Sequence, residues 1–238
     1  MNSPNLTRVS AVLLLLSPVL PATDLTGFPF QNETLRYNVN WPSGLSLGEA
    51  VFTAHKTDDG GWSFDANLTV GVPGLPIADK YKSSVTAEYC SVELQREISH
   101  GTRKVTEKTT FDQKGGHATR QTLFPLGGGK TDFDISTCAR DALAFEYFAR
   151  KELGQGRVPP ANKVYFGPGY QVRMEYTGSM NITIGNKPAV TDHLNVSVKG
   201  PVSNFTFEAF YARDAARTPV LFKIPVSIGK ITAELVRR

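Results

Sequence analysis

Apolar and polar residues alternate through most of this chain. Leu35, Tyr37, Val39 and Trp41 share one parity, and so do Trp62, Phe64, Ala66, Leu68 and Val70. The pattern returns at Tyr170, Val172, Met174 and Tyr176, then at Leu194, Val196 and Val198, then at Phe205, Phe207 and Tyr211. Arg36, Asn38, Asp65, Asn67, Gln171, Arg173 and Asn195 fill the places between. A period of two predicts strands with one buried and one wet face, the mark of antiparallel sheet. Asp58-Asp59-Gly60-Gly61 reads as a hairpin, and Pro42-Ser43-Gly44, Gly115-Gly116 and Gly185-Asn186 break the chain in the same way. The expected fold is mainly β. It is a single large curved antiparallel sheet or a partly open β-barrel, with about a dozen strands. Near the end, Val220, Phe222, Ile224, Val226 and Ile228 alternate, and after Gly229 the parity moves to Ile231, Ala233 and Leu235. That switch predicts a bulge or bend at Gly229-Lys230.

One segment departs from the period. Residues 139–152 hold no glycine, proline or β-branched residue, which predicts a helix. Ser136 or Thr137 is placed to cap it, and Asp141 stands where the amino-terminal dipole favours a negative charge. At 100° per residue, Leu143, Ala144, Phe145, Tyr147, Phe148 and Ala149 cover well over half the circumference. Glu146 and Arg150, four apart, hold the narrow polar edge and are spaced to pair. A helix this apolar is buried on most sides, so the concave side of the sheet is its expected place, as a plug or a lid.

The amino-terminal segment sets the expected compartment. A single positive charge at Arg8 precedes the apolar run Val9–Leu16, and Pro18 and Pro21 lead to small Ala22. That is the layout of a secretory signal peptide over residues 1–22. The run is too short for a membrane span, which needs roughly 20 apolar residues. The expected product is an exported, periplasmic or secreted protein with one β-rich domain over residues 23–238. Its two cysteines, Cys90 and Cys138, are free to pair in such a compartment.

The formal net charge is only +4 and is dispersed. Arg96, Arg103, Lys104 and Lys108 interleave with Glu93, Glu97 and Glu107, whereas a nucleic-acid surface needs a stripe of one sign. No nucleic-acid partner is expected.

The short motifs resolve into structure rather than chemistry. Gly44-Leu-Ser46-Leu-Gly48 matches the G-x-S-x-G nucleophile elbow, but that elbow needs a helix after the serine, and Glu49–His55 alternates as another strand. A hairpin turn explains it. Gly127–Lys130 resembles the end of a phosphate loop, yet Phe124 stands where the first glycine belongs, so the segment reads as a flexible link between sheet and helix. Asp132-Phe-Asp134 reads as a polar loop leading to the helix cap, since the glycine and glutamate of a calcium loop are missing. The four histidines are scattered, with no two at metal-ligand spacing. No metal or cofactor is implied.

Three pieces taken together resemble a known family. They are Phe30–Trp41 with the following Gly48, then Asp141…Tyr147…Arg150, then Asp214, Arg217, Thr218-Pro219-Val220 and Ile228-Gly229…Glu234-Leu235. In order and spacing they are similar to the bacterial exported family labelled domain of unknown function 3108. The resemblance covers nearly the whole mature chain. It implies a location in the envelope of a Gram-negative type of cell and one curved β-domain, and it carries no established activity.

The leading expectation is a non-catalytic binding protein for an apolar or lipid-like ligand. A large antiparallel sheet around one apolar helix is similar in outline to periplasmic carriers of lipid or lipoprotein. Trp62, Phe64, Leu143, Phe145, Tyr147 and Phe148 are the expected lining, with Asp141, Glu146, Arg150 and Gly229 in structural roles. The alternative is a structural or adaptor protein of the envelope that recruits a partner protein along a sheet edge. A remote third reading is a hydrolase using Ser46.

Overall fold

The computed structural model describes residues 32–236 apart from 73, 227 and 228. The signal segment expected at residues 1–22 lies outside them. The chain builds β1 (Asn32–Asn40), β2 (Ser46–Lys56), β3 (Trp62–Val72), β4 (Leu75–Val85), β5 (Ser91–His100), β6 (Arg103–Asp112), β7 (His117–Phe124) and β8 (Lys130–Asp134) as a run of antiparallel neighbours. Then come the two-residue β9 (Arg140–Asp141), helix α1 (Ala142–Gly154) and β10 (Asn162–Tyr165). The chain ends with β11 (Gly169–Ile184), β12 (Lys187–Lys199), β13 (Asn204–Ala212), β14 (Pro219–Val226) and β15 (Gly229–Leu235). All fifteen strands form one sheet, in the order β8-β7-β6-β5-β4-β3-β2-β1-β15-β14-β13-β12-β11-β10-β9. The first and last strands pair at its middle, with Tyr37 opposite Leu235.

The count exceeds the dozen read from alternation because β8, β9 and β10 are too short to show a period. Two loop expectations are corrected in the same region. Gly127–Gly129 turns β7 into β8, and Asp132 and Asp134 lie within β8 rather than in a loop before the helix.

The two ends of the sheet curl toward each other. Ser91 of β5 donates its backbone N–H to Ala139, next to β9, at 2.9 Å. Tyr165 of β10 packs with Leu94, Phe111 and Ala118 from β5, β6 and β7. Arg96 of β5 donates to the carbonyl of Phe166. A sheet of this length lowers its exposed edge by closing on itself, and this one forms a barrel-like shell.

Helix α1 lies inside that shell. Leu143, Ala144 and Tyr147 pack on Ala54, Trp62, Phe64, Val85 and Tyr89. Phe145, Ala149 and Leu153 pack on Val164, Val172, Met174, Leu194 and Val196 from the other flank. Each fully buried large side chain contributes about 1.5–3 kcal/mol. The helix begins three residues later than expected, because its cap is Asp141 itself rather than Ser136 or Thr137. Among the described residues no helix is long and apolar enough to cross a membrane.

Because the strands run up and down, successive turns fall at alternate ends of the shell. The turns after β2, β4, β6, β11 and β13 share the end that holds Glu33 and α1, here the helix end. The turns after β1, β3, β5, β7, β10, β12 and β14 share the other, here the open end. Gly229 belongs to the last of these turns. The bend expected there is a full hairpin, with Val226 paired to Gly229, and the parity switch marks the chain reversing rather than a bulge within one strand.

Candidate functional site

The interior divides into a packed half and a half with apolar walls that keep some exposure. In the packed half, Phe64 stacks on Tyr147 with ring centroids 4.0 Å apart and planes 4° from parallel. Trp62 stacks on Phe64 and on Tyr89. Of the six residues expected to line a site, Trp62, Phe64, Leu143, Phe145 and Tyr147 are buried. Phe148 alone keeps part of its surface, with the Arg140 guanidinium 3.8 Å from its ring centre and apolar neighbours on both flanks of the helix.

Between the helix and the open end, the inward face carries six large side chains, Phe52, Leu68, Ile98, Phe207, Phe222 and Ile231, beside buried Val39, Ala50 and Val70. Phe52 lies opposite Ala66 on β3, Ile98 shares its face with Asp79 and so with Leu68, and Phe222 lies opposite Ala209 and Ala233. All six are only half-buried, although they share the face that the helix covers further down. The core cluster around Tyr37, Val39, Leu47, Ala50 and Val70 contains no helix residue. Two polar pairs interrupt this wall. Arg96 donates to Glu107 at 2.6 Å, and His100 lies 3.0 Å from Asp79.

At the helix end the interior is polar. Arg150 reaches both carboxylate oxygens of Glu33, at 2.7 and 2.8 Å, and its Nε donates to the carbonyl of Ala216. The Tyr37 hydroxyl donates to the carbonyl of Pro219, and the Tyr211 hydroxyl to Glu146. Burial pushes the Glu146 carboxyl above its ordinary range, only partly opposed by Arg150 and Tyr211. Burial alone would lower the Arg150 guanidinium, but its bonds to Glu33 hold it above its ordinary value. Burial also drives the Tyr37, Tyr147 and Tyr211 phenols upward, so they stay neutral donors. The Glu146–Arg150 pair expected on the narrow polar edge lies in the interior, and the two charges still act on each other beside new bonded partners. Arg150 takes Glu33 as its partner, 117 positions away, and Glu146 takes Tyr211.

Asp141 anchors the start of the helix. Its side chain accepts from the backbone of Leu143 and Ala144, and from the hydroxyls of Ser83 and Ser91 at 2.6 Å each. Burial raises its pKa against those four bonds. Beside it, Cys90 and Cys138 form a disulfide that ties the β4–β5 turn to the segment entering β9, across the line where the sheet closes.

Ser46 opens β2 opposite Asn40, and strand follows it, so the strand-to-helix turn of a nucleophile elbow is not built there. His55, His100, His117 and His193 face Asn32, Asp79, Asp112 and Glu208 respectively. Among the described residues no three His, Cys, Asp or Glu side chains gather as a metal site.

Glu33, Ser83, Ser91 and Tyr211 were missed by sequence reasoning, because each meets its partner across at least 50 positions of chain. The inward row was within reach, since Leu68 shares the parity of Trp62 and Phe64.

The profile of the family described as protein of unknown function (DUF3108) matches residues 36–236. The chain belongs to this family. No curated protein matches it. A crystal structure of a β-barrel-like protein of domain of unknown function DUF1849, from Brucella abortus, has a similar fold. The TM-score is 0.61 at 6% identity, covering 86% of this chain and 95% of that one. This DUF3108 member therefore shares a barrel-like fold with a second family of unknown function, and the likeness extends to fold alone.

Proposed function

We propose that this DUF3108 protein is an exported, non-catalytic binding protein that takes an apolar or lipid-like ligand into the half of its barrel that α1 leaves unfilled. One observation carries the reading. Six large apolar side chains that face inward between the helix and the open end are only half-buried, although they lie beside buried Val39, Ala50 and Val70. Apolar surface on the inside of a shell is normally packed, so a partly exposed inner wall favours an occupant. The buried aromatics Phe64, Phe145 and Tyr147 then form the floor of the compartment, with Phe148 at its boundary. The disulfide is in keeping with an oxidising compartment.

The adaptor reading has weaker support. The outer edge of β8 carries Lys130, Asp132 and Asp134, and charges on an edge strand oppose the addition of another strand.

Native mass spectrometry with organic extraction, on protein purified gently from an envelope fraction, tests the proposal. Lipid at stoichiometric amounts, lost from a folded Phe222→Asp variant, is the expected result. A ligand-free mass with an empty extract overturns it.

A further inference from the structure

The open end of the barrel combines two features that the strand-to-strand turns of the helix end lack. Its turns carry exposed apolar side chains at their tips: Leu45 after β1 is 67% exposed, Phe124 and Leu126 after β7 are 50% and 92% exposed, and Val202 after β12 is 79% exposed. The charges its turns carry also have one sign. The seven turns there, taken with the strand residue on either side, contain Arg103, Lys130 and Lys199 and no aspartate or glutamate in sequence, and Lys230 follows one residue further on. Lys230 is held by Glu208, and Lys130 lies 3.9 Å from Asp132, while both lysines remain exposed. The turns of the helix end carry Asp58, Asp59, Glu88, Asp112 and Asp214, balanced by as many lysines and arginines.

We infer that the open end is a docking surface for an anionic lipid bilayer. The apolar tips sit on separate turns around the mouth rather than in one continuous patch. A flat surface reaches apolar tips spread over separate turns, whereas a compact protein partner would need them side by side. Apolar tips enter the headgroup and acyl boundary, and turns that carry Arg103, Lys130 and Lys199 with no carboxylate of their own are drawn to a negative surface. Docking in this orientation points the mouth of the barrel at the membrane and leaves the mixed-charge helix end in water. It goes beyond the ligand-binding proposal and does not depend on it.

The test is co-sedimentation of residues 23–238, which keep every described element, with vesicles of phosphatidylglycerol and phosphatidylcholine or of phosphatidylcholine alone. Binding to the mixed vesicles, weakened by salt and much lower on the neutral ones, is the expected result. Lys130→Ala with Lys199→Ala lowers the affinity roughly tenfold or more. Phe124→Ser with Leu126→Ser lowers it by a similar factor, while Lys114→Ala with Lys187→Ala at the helix end leaves it unchanged. These residues sit at exposed positions, and circular dichroism verifies that each variant stays folded. No binding to anionic vesicles, equal binding to neutral ones, or an equal loss from the helix-end variant overturns the inference. An empty interior by mass spectrometry would leave vesicle binding intact, so the two proposals fail separately.

Discussion

Arg150 of α1 and Glu33 of β1 form a two-pronged ion pair at 2.7 and 2.8 Å inside the barrel, joining residues 117 positions apart. It fixes the carboxyl half of the helix to the first strand, which is itself the middle of the sheet. Removing one partner strands the other charge in the interior. Glu33→Gln and Arg150→Met are each expected to cost about 3–5 kcal/mol, read by urea unfolding. The double variant Glu33→Leu with Arg150→Met costs less than the sum, because neither charge is left alone. Additive losses would mean that the two side chains act independently.

How far the sequence reached follows from the range of each interaction. Alternation at Trp62–Val70 and Tyr170–Tyr176 is local, and those strands stand where the pattern puts them. The helix was legible for the same reason, since its apolar sweep lies within one segment. What escaped is long-range. Nothing near Arg150 reveals Glu33, so spacing alone favoured Glu146 as the partner. Nothing near Asp141 reveals Ser83 and Ser91, which compete for its carboxylate and make it the cap. The curling of the sheet ends, through Tyr165 and Arg96, leaves no local trace either. Gly229 was visible as a parity break, but a break alone does not separate a bulge from a hairpin.

Glu146 makes stability depend on pH in a definite direction. Burial lifts its folded-state value above the ordinary 4.5, with Arg150 and the Tyr211 hydroxyl opposing and Glu33 adding to the lift. The fold therefore prefers the protonated carboxyl. The stability from this group is fully present below the ordinary value and is lost as pH rises through the folded one. Asp141 is shifted in the same direction, so a single curve mixes the two. The difference between the wild type and Glu146→Gln isolates one of them. Urea unfolding across the range from pH 4 to 8 should show Glu146→Gln gaining on the wild type as pH rises. A constant difference would remove Glu146 as a titrating group.

The disulfide between Cys90 and Cys138 closes a loop with a sequence separation of 48. In the chain-entropy model such a closure stabilises by about 4 kcal/mol. The loop spans β5 to β8, so its loss acts on the line where the sheet closes. Cys90→Ser with Cys138→Ser should lower the urea midpoint by an amount corresponding to about 2–5 kcal/mol. Hydrogen exchange should rise first at Ser91 and Ala139, whose backbone bond lies beside the bridge. Faster exchange confined to regions far from this seam would argue against its role as a clasp.

Gly44 and Gly48 decide between turn and catalyst at Ser46. Gly44 has φ +86, with open space where a Cβ would stand, as the β1–β2 turn requires. Gly48 has φ +149, and a Cβ there would lie 2.0 Å from the backbone carbonyl oxygen of Thr69. The contact is with backbone of the neighbouring strand, so no rotamer change relieves it. Gly48→Ala should therefore cost about 2 kcal/mol or more, and Gly44→Ala about 1 kcal/mol. Ser46 is exposed at the start of β2, and Ser46→Ala should stay within about 0.5 kcal/mol of the wild type. This ranking, measured by thermal or urea unfolding, is what a pattern of glycines serving strand geometry produces. A nucleophile elbow would give a different result. Ser46→Ala would abolish turnover of an ester substrate, and the glycines would matter through the pose of the serine rather than through the approach of β3.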